Sequence, residues 1–473
     1  MKFLPRTLAA GCAAITPLIL CGFTPTPSHG PVSDFIVTAA PRYKPLAELH
    51  GGERFPDGAQ LLLVQNGKTE PLVPGFAASA DADVSYDGKS VLFAGKQTAN
   101  DRWQIWELNL NDRSLRQVKS TSGDAERPLH LPGGRLVWAQ RTPEGFQVDS
   151  SDDGRPPESR FLNPTAGPGI LPLTYLHGSA FPTGVLHDGR ILFESGFPLG
   201  TGSTPEIYLM YADGSGVESY RCDHGRARWG AQQLASGDVV FTHGGSLARF
   251  TSSLAHEDPI AAPPAEYAGA IAETDSGAWL VSARPTNSSH YEIRLWQPGD
   301  ASQSHGAKRE AALRVSGMDL VDPVLVTPHQ RPNRHPSGLH PWTYANLLAL
   351  DARVSRDGTL RGAPASVRLE SQDANGRTVR RGDAPVEQDG SFFVSVPADR
   401  PIRFALLDGN GAVLRQEHGW FWIRGGEQRY CVGCHAGPER GSENRVPAVL
   451  MRSTVPVDLT GKESAHIPGS PVK

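Results

Sequence analysis

A glycine turn followed by an apolar strand recurs through the first two-thirds of the chain. The five clearest copies are centred on Gly88, Gly134, Gly189, Gly237 and Gly277. Asp-Gly and related pairs supply the positive φ angles of hairpin turns, and the residues that follow them favour β-strands. Several copies are followed by a second hairpin, so each unit holds about four strands in ~45 residues, the size of a propeller blade. The pattern predicts an all-β chain with a six- or seven-bladed β-propeller over residues 45–330.

Composition narrows the class of protein further. The 473 residues are 38% hydrophobic and 20% charged, which excludes wholesale disorder. The 51 glycines and 40 prolines indicate a chain dense in turns and argue against a helical bundle. The net charge is −4 and no basic patch stands out, so nucleic acid is not expected as a partner.

The first 29 residues have the organisation of an export signal. Lys2 and Arg6 precede an uncharged apolar stretch, and a Pro-rich polar segment follows it. A membrane anchor is the alternative, but the apolar run is short and interrupted by Pro17. Cys21 is a candidate lipid-anchor residue, although Leu20 stands where a lipobox has a small residue. No later segment is apolar enough to span a bilayer, and we expect a periplasmic or exported protein.

Two further regions follow the predicted propeller. Residues 331–343 are rich in proline and histidine and predict a linker. Apolar and polar residues alternate between turns over 344–425, which predicts a small β-sandwich. His329, His335 and His340 lie in or beside the linker, where a solvated segment is favoured over the wall of an interdomain cleft. Residues 426–473 form a short C-terminal segment.

The C-terminal segment contains the sequence Cys431-Val432-Gly433-Cys434-His435. Cys-x-x-Cys-His is the attachment motif of c-type haem. Two thiols add to the haem vinyl groups, and the adjacent imidazole reaches the iron. The motif therefore predicts one covalent haem c, with thioethers at Cys431 and Cys434 and His435 as the proximal iron ligand.

The cysteine pair has three other possible interpretations: a redox pair, a zinc site and a structural disulfide. A thioredoxin-like pair opens a helix in a βαβ context, whereas this context is all-β. A zinc site needs further cysteine or histidine ligands, and the tail offers only His418 and His466 besides His435. A structural disulfide between the two cysteines leaves the histidine unexplained. Export favours haem, because c-type attachment takes place outside the cytoplasm.

The sixth iron ligand is left open by the sequence. His418 and Met451 are the leading candidates, His466 is a weaker one, and an open or water-filled position is the alternative. Trp420 and Trp422 fit a packed core better than a haem wall. Cys222 has no intrachain partner once the other cysteines are assigned, which predicts a free thiol.

The flanks of the motif resemble the hydrazine synthase alpha-subunit middle-domain family. The shared elements are Gly426-Glu427 followed by Cys431-Val432-Gly433-Cys434-His435, and upstream Ala-Pro-Val, Asp-Gly-Ser-Phe and Val-Pro-Ala pieces, within 384–435. That family joins a WD-repeat-like propeller to a β-domain that ends in the haem motif. The resemblance therefore implies the same fold and haem attachment.

Departures from the family limit what the resemblance implies. Its alpha subunit carries more than one haem, whereas this sequence has one motif, and a usual proline is Gly425 here. Hydrazine synthesis does not follow. We expect a mono-haem c-type cytochrome-like protein for electron transfer or a haem-dependent oxidoreductase, acting on a redox partner protein or small-molecule substrate. The propeller would be the docking or substrate scaffold, and the haem would lie against the β-domain at the propeller rim. The alternative is a non-redox propeller binding module with a structural cysteine pair.

Overall fold

The computed structural model describes residues 33–119, 121–152, 169–196, 204–221, 226–298, 312–355, 360–417, 419–433 and 444–461. Within these ranges the helical elements are a 3-10 helix at Ala47–His50 and the short helix α1 at Ala448–Arg452, and the other regular elements are strands. No helix of this described part has the length and apolar character needed to cross a bilayer. The predicted signal peptide lies outside the described residues.

Six antiparallel sheets succeed one another around a common centre. The first strands of neighbouring sheets contact each other in a ring, which makes them the innermost strands of six propeller blades. The 23 strands are β1 (Phe35–Ala40), β2 (Gln60–Gln65), β3 (Lys68–Pro71), β4 (Ala78–Val84), β5 (Ser90–Lys96), β6 (Gln104–Asn109), β7 (Leu115–Lys119), β8 (Ala125–Leu131), β9 (Arg135–Thr142), β10 (Gly145–Asp152), β11 (Leu171–Pro172), β12 (Ala180–Val185), β13 (Ile191–Gly196), β14 (Pro205–Met210), β15 (Glu218–Ser219), β16 (Arg228–Gln233), β17 (Val239–His243), β18 (Ser246–Phe250), β19 (Asp258–Pro259), β20 (Glu266–Glu273), β21 (Trp279–Arg284), β22 (Glu292–Trp296) and β23 (Asp319–Leu325). The predicted propeller is confirmed, and its described residues form six blades.

The ring closes by pairing the two ends of the propeller chain. Strand β23 is the innermost strand of the blade whose other strands are β1, β2 and β3. Phe35 pairs with Leu325 and Ala40 with Asp319 in an antiparallel register. This blade therefore begins at Phe35, upstream of the predicted range 45–330. Closure by a distant strand could not be derived from the local turn pattern.

The repeated glycines share one structural position. Each lies in the turn between the innermost and second strands of its blade, with φ between 71° and 92°. Left-handed backbone of this kind favours glycine because other residues carry a Cβ atom. The five turns therefore lie on one side of the propeller, which we call the turn face. The glycine repeat in the sequence therefore corresponds to the turn face of the propeller.

Residues 344–458 form a second unit, a sandwich of two four-stranded sheets. One sheet has the order β30-β24-β27-β31 and the other β26-β25-β28-β29. The strands are β24 (Tyr344–Ala349), β25 (Ser366–Gln372), β26 (Thr378–Pro385), β27 (Phe392–Pro397), β28 (Ile402–Leu407), β29 (Val413–Gln416), β30 (Gln428–Cys431) and β31 (Val457–Asp458). Their inward side chains, including Leu347, Leu369 and Phe404, pack into one core. Alternation of apolar and polar residues places these side chains on the inner faces.

The C-terminal segment contributes two strands to this sandwich. Strand β30 pairs in parallel with β24, and β31 pairs in parallel with β27. Both strands lie within residues 426–473, which the sequence predicts to be a separate C-terminal segment. Parallel pairing between strands distant in sequence depends on tertiary packing, because no hairpin joins them.

The side chain of Trp422 connects the sandwich to the propeller. Its side chain is 1% exposed and packs with Leu173, Phe193 and Tyr208 in a propeller core cluster. The indole N–H donates to the carbonyl oxygen of Gly214 at 3.1 Å. The expectation that this tryptophan packs in a core fits its position, and the core belongs to the neighbouring unit.

Candidate functional site

Cys431 is the last residue of strand β30. It pairs with Ala349, the last residue of β24, and its carbonyl oxygen accepts a hydrogen bond from the N–H of Leu350 at 2.8 Å. The half-buried thiol packs against the edge of the sandwich core and is in no disulfide within the described residues. The motif thus begins where a strand ends, at a fixed point of the sheet.

The electrostatic setting of the Cys431 thiol differs from that of a redox-active pair. Burial raises its pKa, and the nearby positive charge of Arg429 offsets the rise only in part. Reactive Cys-x-x-Cys pairs have the opposite property, a thiol whose pKa is lowered. The structure therefore keeps Cys431 as a neutral thiol near pH 7, which disfavours the thioredoxin-like interpretation.

After the motif, the chain returns to Leu350 through the side chain of Arg445. The guanidinium of Arg445 donates to the carbonyl oxygen of Leu350 at 3.3 Å and also pairs with the carboxylate of Asp389. Asp389 further accepts from the N–H of Ala448 at 2.8 Å. Burial acts to raise the pKa of Asp389, but hydrogen bonds from Ser391, Ala448 and Arg445 outweigh it and hold that pKa well below its usual range. Both ends of the segment that carries Cys434 and His435 are therefore anchored at Leu350.

Four large apolar side chains in or near the C-terminal segment are strongly exposed. Tyr430, Val446, Met451 and Val455 are 66–73% exposed, the highest values among the exposed large apolar residues of the described chain. Tyr430 aligns across the strands with Leu348, which in turn aligns with Phe393, so the three lie in one row on the outer face of the sheet. Such exposed apolar residues mark a surface suited to an apolar partner or group.

The described structure reaches only some of the predicted site residues. Cys434, His435, His418, His466, Cys222 and Cys21 lie outside it, so the thioether, iron-ligand and free-thiol predictions stand as predictions. Met451 lies on α1 with its side chain 73% exposed. Trp420 is buried, with Arg403 stacked over its ring at 4.4 Å. Within the described ranges, no three His, Cys, Asp or Glu side chains converge as metal ligands.

Two linker histidines line a cleft between the propeller and the sandwich. His335 and His340 are exposed, and both face a cavity of about 230 Å³ that is also bordered by Arg424 and Gly425. The linker is mostly exposed to solvent, and it also forms one wall of this cleft. Trp342, beside the start of β24, faces the cavity, whereas Cys431 lies at the far end of that strand. Six strand residues span about 20 Å, which is therefore the approximate distance from the cleft to Cys431.

A buried charge cluster fills the centre of the propeller. All six innermost strands carry a β-bulge, and Asp81, Arg127 and Asp322 occupy bulge positions with positive φ. Arg54, from the loop before β2, pairs with Asp81 and lies 3.3 Å from Glu48. The loop therefore closes one end of the channel. Charged residues inside apolar strands are the sequence signal for this cluster, which the turn-and-strand repeat does not reveal.

Two carboxyl groups in this cluster titrate in opposite directions. Burial acts to raise the pKa of Glu48, but Arg54 and Arg127 outweigh it and lower that pKa to about 2. Burial and the adjacent Glu48 raise the pKa of Glu126 well above its usual value. Glu126 therefore stays protonated to higher pH than an ordinary glutamate, and it is hydrogen-bonded to Glu48, which is ionised above a pH of about 2. The network joins the loop before β2 to the innermost strands of the propeller.

Comparisons with known proteins agree with this architecture. The family model described as "Hydrazine synthase alpha subunit middle domain" matches residues 346–436. Hydrazine synthase subunit alpha of Kuenenia stuttgartiensis is 29% identical over 127 residues, which cover 25% of this chain and 16% of that protein. The matched stretch is thus a small part of the relative's length.

Solved structures extend the likeness of fold. Kuenenia stuttgartiensis hydrazine synthase superposes with a TM-score of 0.74 at 17% identity, covering 89% of this chain and 71% of that chain. TolB from Acinetobacter baumannii gives a TM-score of 0.39 at 13% identity, covering 63% of this chain and 68% of that chain. Residues 346–436 therefore match the hydrazine synthase alpha-subunit middle-domain family, as the sequence resemblance predicted, and the fold likeness extends over most of the chain.

Proposed function

We propose that the chain is an exported mono-haem c-type cytochrome-like protein, which transfers electrons or serves as a haem-dependent oxidoreductase. The observation that carries this proposal is the position of Cys431. It ends a strand of the family-matched domain, and the chain returns to the same residue, Leu350, through Arg445. A short segment that is anchored at both ends would hold two thioether-forming cysteines and an adjacent iron ligand close together.

The residues present fit a covalent haem. Cys431 would supply the first thioether from a thiol that burial keeps neutral near pH 7, and Cys434 would supply the second. His435 would be the proximal iron ligand, and His418 or Met451 is the candidate for the distal position. Haem c, when bound, supplies one-electron chemistry or an iron that accepts a small ligand.

The chain's own residues would bury and hold this segment. The exposed side chains of Tyr430, Val446 and Met451 offer the apolar surface that a macrocycle needs. Arg445 and Asp389 fix the returning chain beside Leu350. The propeller would act as the docking scaffold for a redox partner protein or a small-molecule substrate.

Export and haem attachment support each other in this proposal. Signal-peptide composition over 1–29 directs the chain to the compartment where c-type attachment takes place. A periplasmic location follows, with lipid anchoring at Cys21 as the variant to test. Hydrazine synthesis is not proposed, because the matched stretch covers 16% of the relative and one haem motif is present.

The test is expression of the whole chain together with haem-attachment machinery. A pyridine haemochrome spectrum and haem staining of the denatured chain should show one covalent haem per chain. Cys431→Ser and Cys434→Ser should each lose one thioether, and His435→Ala should shift the Soret band and lower the yield of attached haem. Met451→Leu is the matched control for attachment.

Three results would contradict the proposal. A chain without covalent haem under these conditions would favour the non-redox binding module with a structural cysteine pair. An unaltered spectrum in His435→Ala would exclude that residue as the proximal ligand. Covalent haem in a chain that is retained in the cytoplasm would contradict export. A six-coordinate spectrum would point to electron transfer, whereas an open iron would point to catalysis.

A further inference from the structure

We propose that the cleft between propeller, linker and sandwich binds a small organic anion, a carboxylate with a compact apolar body. The cleft encloses about 230 Å³, below the roughly 300–1,000 Å³ of drug-sized pockets, so its ligand is small. The propeller supplies Arg135 and Leu171, the linker supplies Arg334 and Trp342, and the sandwich supplies Arg424. Three guanidinium groups thus border one small cavity.

The carboxylates in the wall do not neutralise all of these cations. Asp213 accepts from both the N–H and the hydroxyl of Ser215, at 3.0 and 2.6 Å, and so caps its own turn. Asp399 lies 3.1 Å from Nε of Arg424. Arg334 has no ion-pair partner among the residues that the structure describes, and its guanidinium lies against the Gly133 turn. A ligand carboxylate would complete its coordination, since guanidinium and carboxylate match in geometry.

Arg424 provides a fixed positive charge at the back of the cleft. Its side chain is more than nine-tenths buried, and it donates from Nη1 to the carbonyl oxygen of Pro172 at 2.6 Å. Nε makes no hydrogen bond of acceptable geometry, and the group lies 5.0 Å from the ring centroid of Tyr175. Asp399 offsets part of this charge, and the remainder attracts an anion more strongly than it would in water, because the buried surroundings screen it less.

The other walls are apolar and aromatic. Leu171, Leu339 and Pro341 border the cavity, and the rings of His340 and Trp342 stack at 5.0 Å. Trp342 in turn stacks on Tyr344 at 5.2 Å. A hydrocarbon or aromatic body would bury its surface here, whereas an inorganic anion would gain only the contacts with arginine.

The linker that forms one wall is held rigidly on the turn face. The N–H of Asn333 donates to the carbonyl oxygen of His187 at 2.8 Å, and the His335 ring packs on Tyr211 at 4.1 Å. At Gly425, a Cβ atom would overlap with the carbonyl oxygen of Trp342. The close approach of linker and sandwich at this point therefore requires glycine. A preformed cleft avoids the entropic cost of closing around a ligand.

The experiment uses the mature chain, with and without attached haem, and 4-fluorobenzoate followed by ¹⁹F NMR. Saturable line broadening is expected in both forms, because the cleft is about 20 Å from Cys431. The neutral isostere 4-fluorobenzyl alcohol and inorganic phosphate should each bind at least about tenfold more weakly. The alcohol lacks the carboxylate that pairs with arginine, and phosphate lacks the apolar body that packs on the aromatic wall. Binding in haem-free protein separates this result from the proposed haem function.

Variants assign the binding to the cleft. Arg334→Gln should weaken 4-fluorobenzoate by about fivefold or more, and Ser337→Phe, which fills the cavity, should abolish saturation. Arg331→Gln is the matched control, because it removes the same charge from the linker outside the cavity. The proposal is overturned if no saturable binding occurs or if the alcohol or phosphate binds as well. Equal loss in the Arg331 and Arg334 variants would also overturn it.

Discussion

The backbone N–H of Leu350 donates to the carbonyl oxygen of Cys431 at 2.8 Å, just where the parallel pairing of β24 and β30 ends. The carbonyl oxygen of the same leucine accepts from Arg445 at 3.3 Å. One residue thus holds the chain on both sides of the segment with Cys434 and His435. The haem motif is attached to a rigid sheet, although it lies near the C-terminal end of the sequence.

We expect Arg445→Ala to loosen the segment between Cys431 and Arg445. The variant removes a charged hydrogen bond to Asp389 and one to Leu350, a loss of about 1 kcal/mol or more. Limited proteolysis should cut the segment faster, and less haem should be attached per chain. Arg452→Ala is the control, because its ion pair with Glu387 lies on exposed α1. Equal proteolysis of both variants would contradict the anchoring role.

Gly189→Ala should destabilise the docking of the linker on the turn face. A Cβ atom there would overlap with the carbonyl oxygen of Asn333, and φ is +87°. Gly237→Ala is matched, since φ is +92° in the equivalent turn of the next blade and nothing lies within 4 Å of the added atom. Both variants bear the left-handed strain of about 1–2 kcal/mol, and only Gly189→Ala adds the clash. Thermal unfolding should show a clearly lower Tm for Gly189→Ala than for Gly237→Ala.

Trp422→Ala should be among the most destabilising single changes in the chain. The side chain is 1% exposed and fills a propeller core from the sandwich side, so its loss leaves a large cavity. The expected cost is about 3–5 kcal/mol in the free energy of unfolding. Trp342→Ala, at a side chain 43% exposed, should cost much less. Urea unfolding of the two variants gives the comparison, and similar midpoints would show that Trp422 is not an interdomain anchor.

Glu126→Gln should stabilise the protein increasingly as pH rises. Burial and Glu48 raise the folded-state pKa of Glu126 above its ordinary value of 4.5. A carboxyl group with a raised folded pKa favours the folded state at low pH, and that contribution is lost as pH rises above 4.5. Glutamine stays neutral and keeps a donor toward Glu48. The variant should gain up to about 1.4 kcal/mol per pH unit within this window.

The measurement for Glu126→Gln is the Tm difference from the unsubstituted chain between pH 5 and pH 8. Glu70→Gln, on the exposed strand β3, serves as the control and should show no such trend. A constant difference across this range would mean that Glu126 is ionised in the folded protein.

The sequence alone determined the propeller class and the sandwich, and it located the Cys-x-x-Cys-His motif for which haem attachment is proposed. Glycine turns such as Gly189 and Gly237 are local signals, since the backbone conformation they permit is set within a few residues. The Cys-x-x-Cys-His motif is also local, because thioethers and iron ligand come from one short segment. Alternation of apolar side chains along β25 and β28 predicted the sandwich for the same reason.

Only the tertiary structure decided how distant segments meet. Closure by β23 and β1, the parallel pairing of Cys431 with Ala349 and the return of Arg445 to Leu350 join residues far apart in the chain. Asp81 and Arg127 lie at bulges in neighbouring blades and come together only when those blades pack. The cleft at Arg424 is formed jointly by the propeller, the linker and the sandwich. No local pattern encodes these arrangements, because each depends on the summed packing of surfaces that come together only when the chain folds.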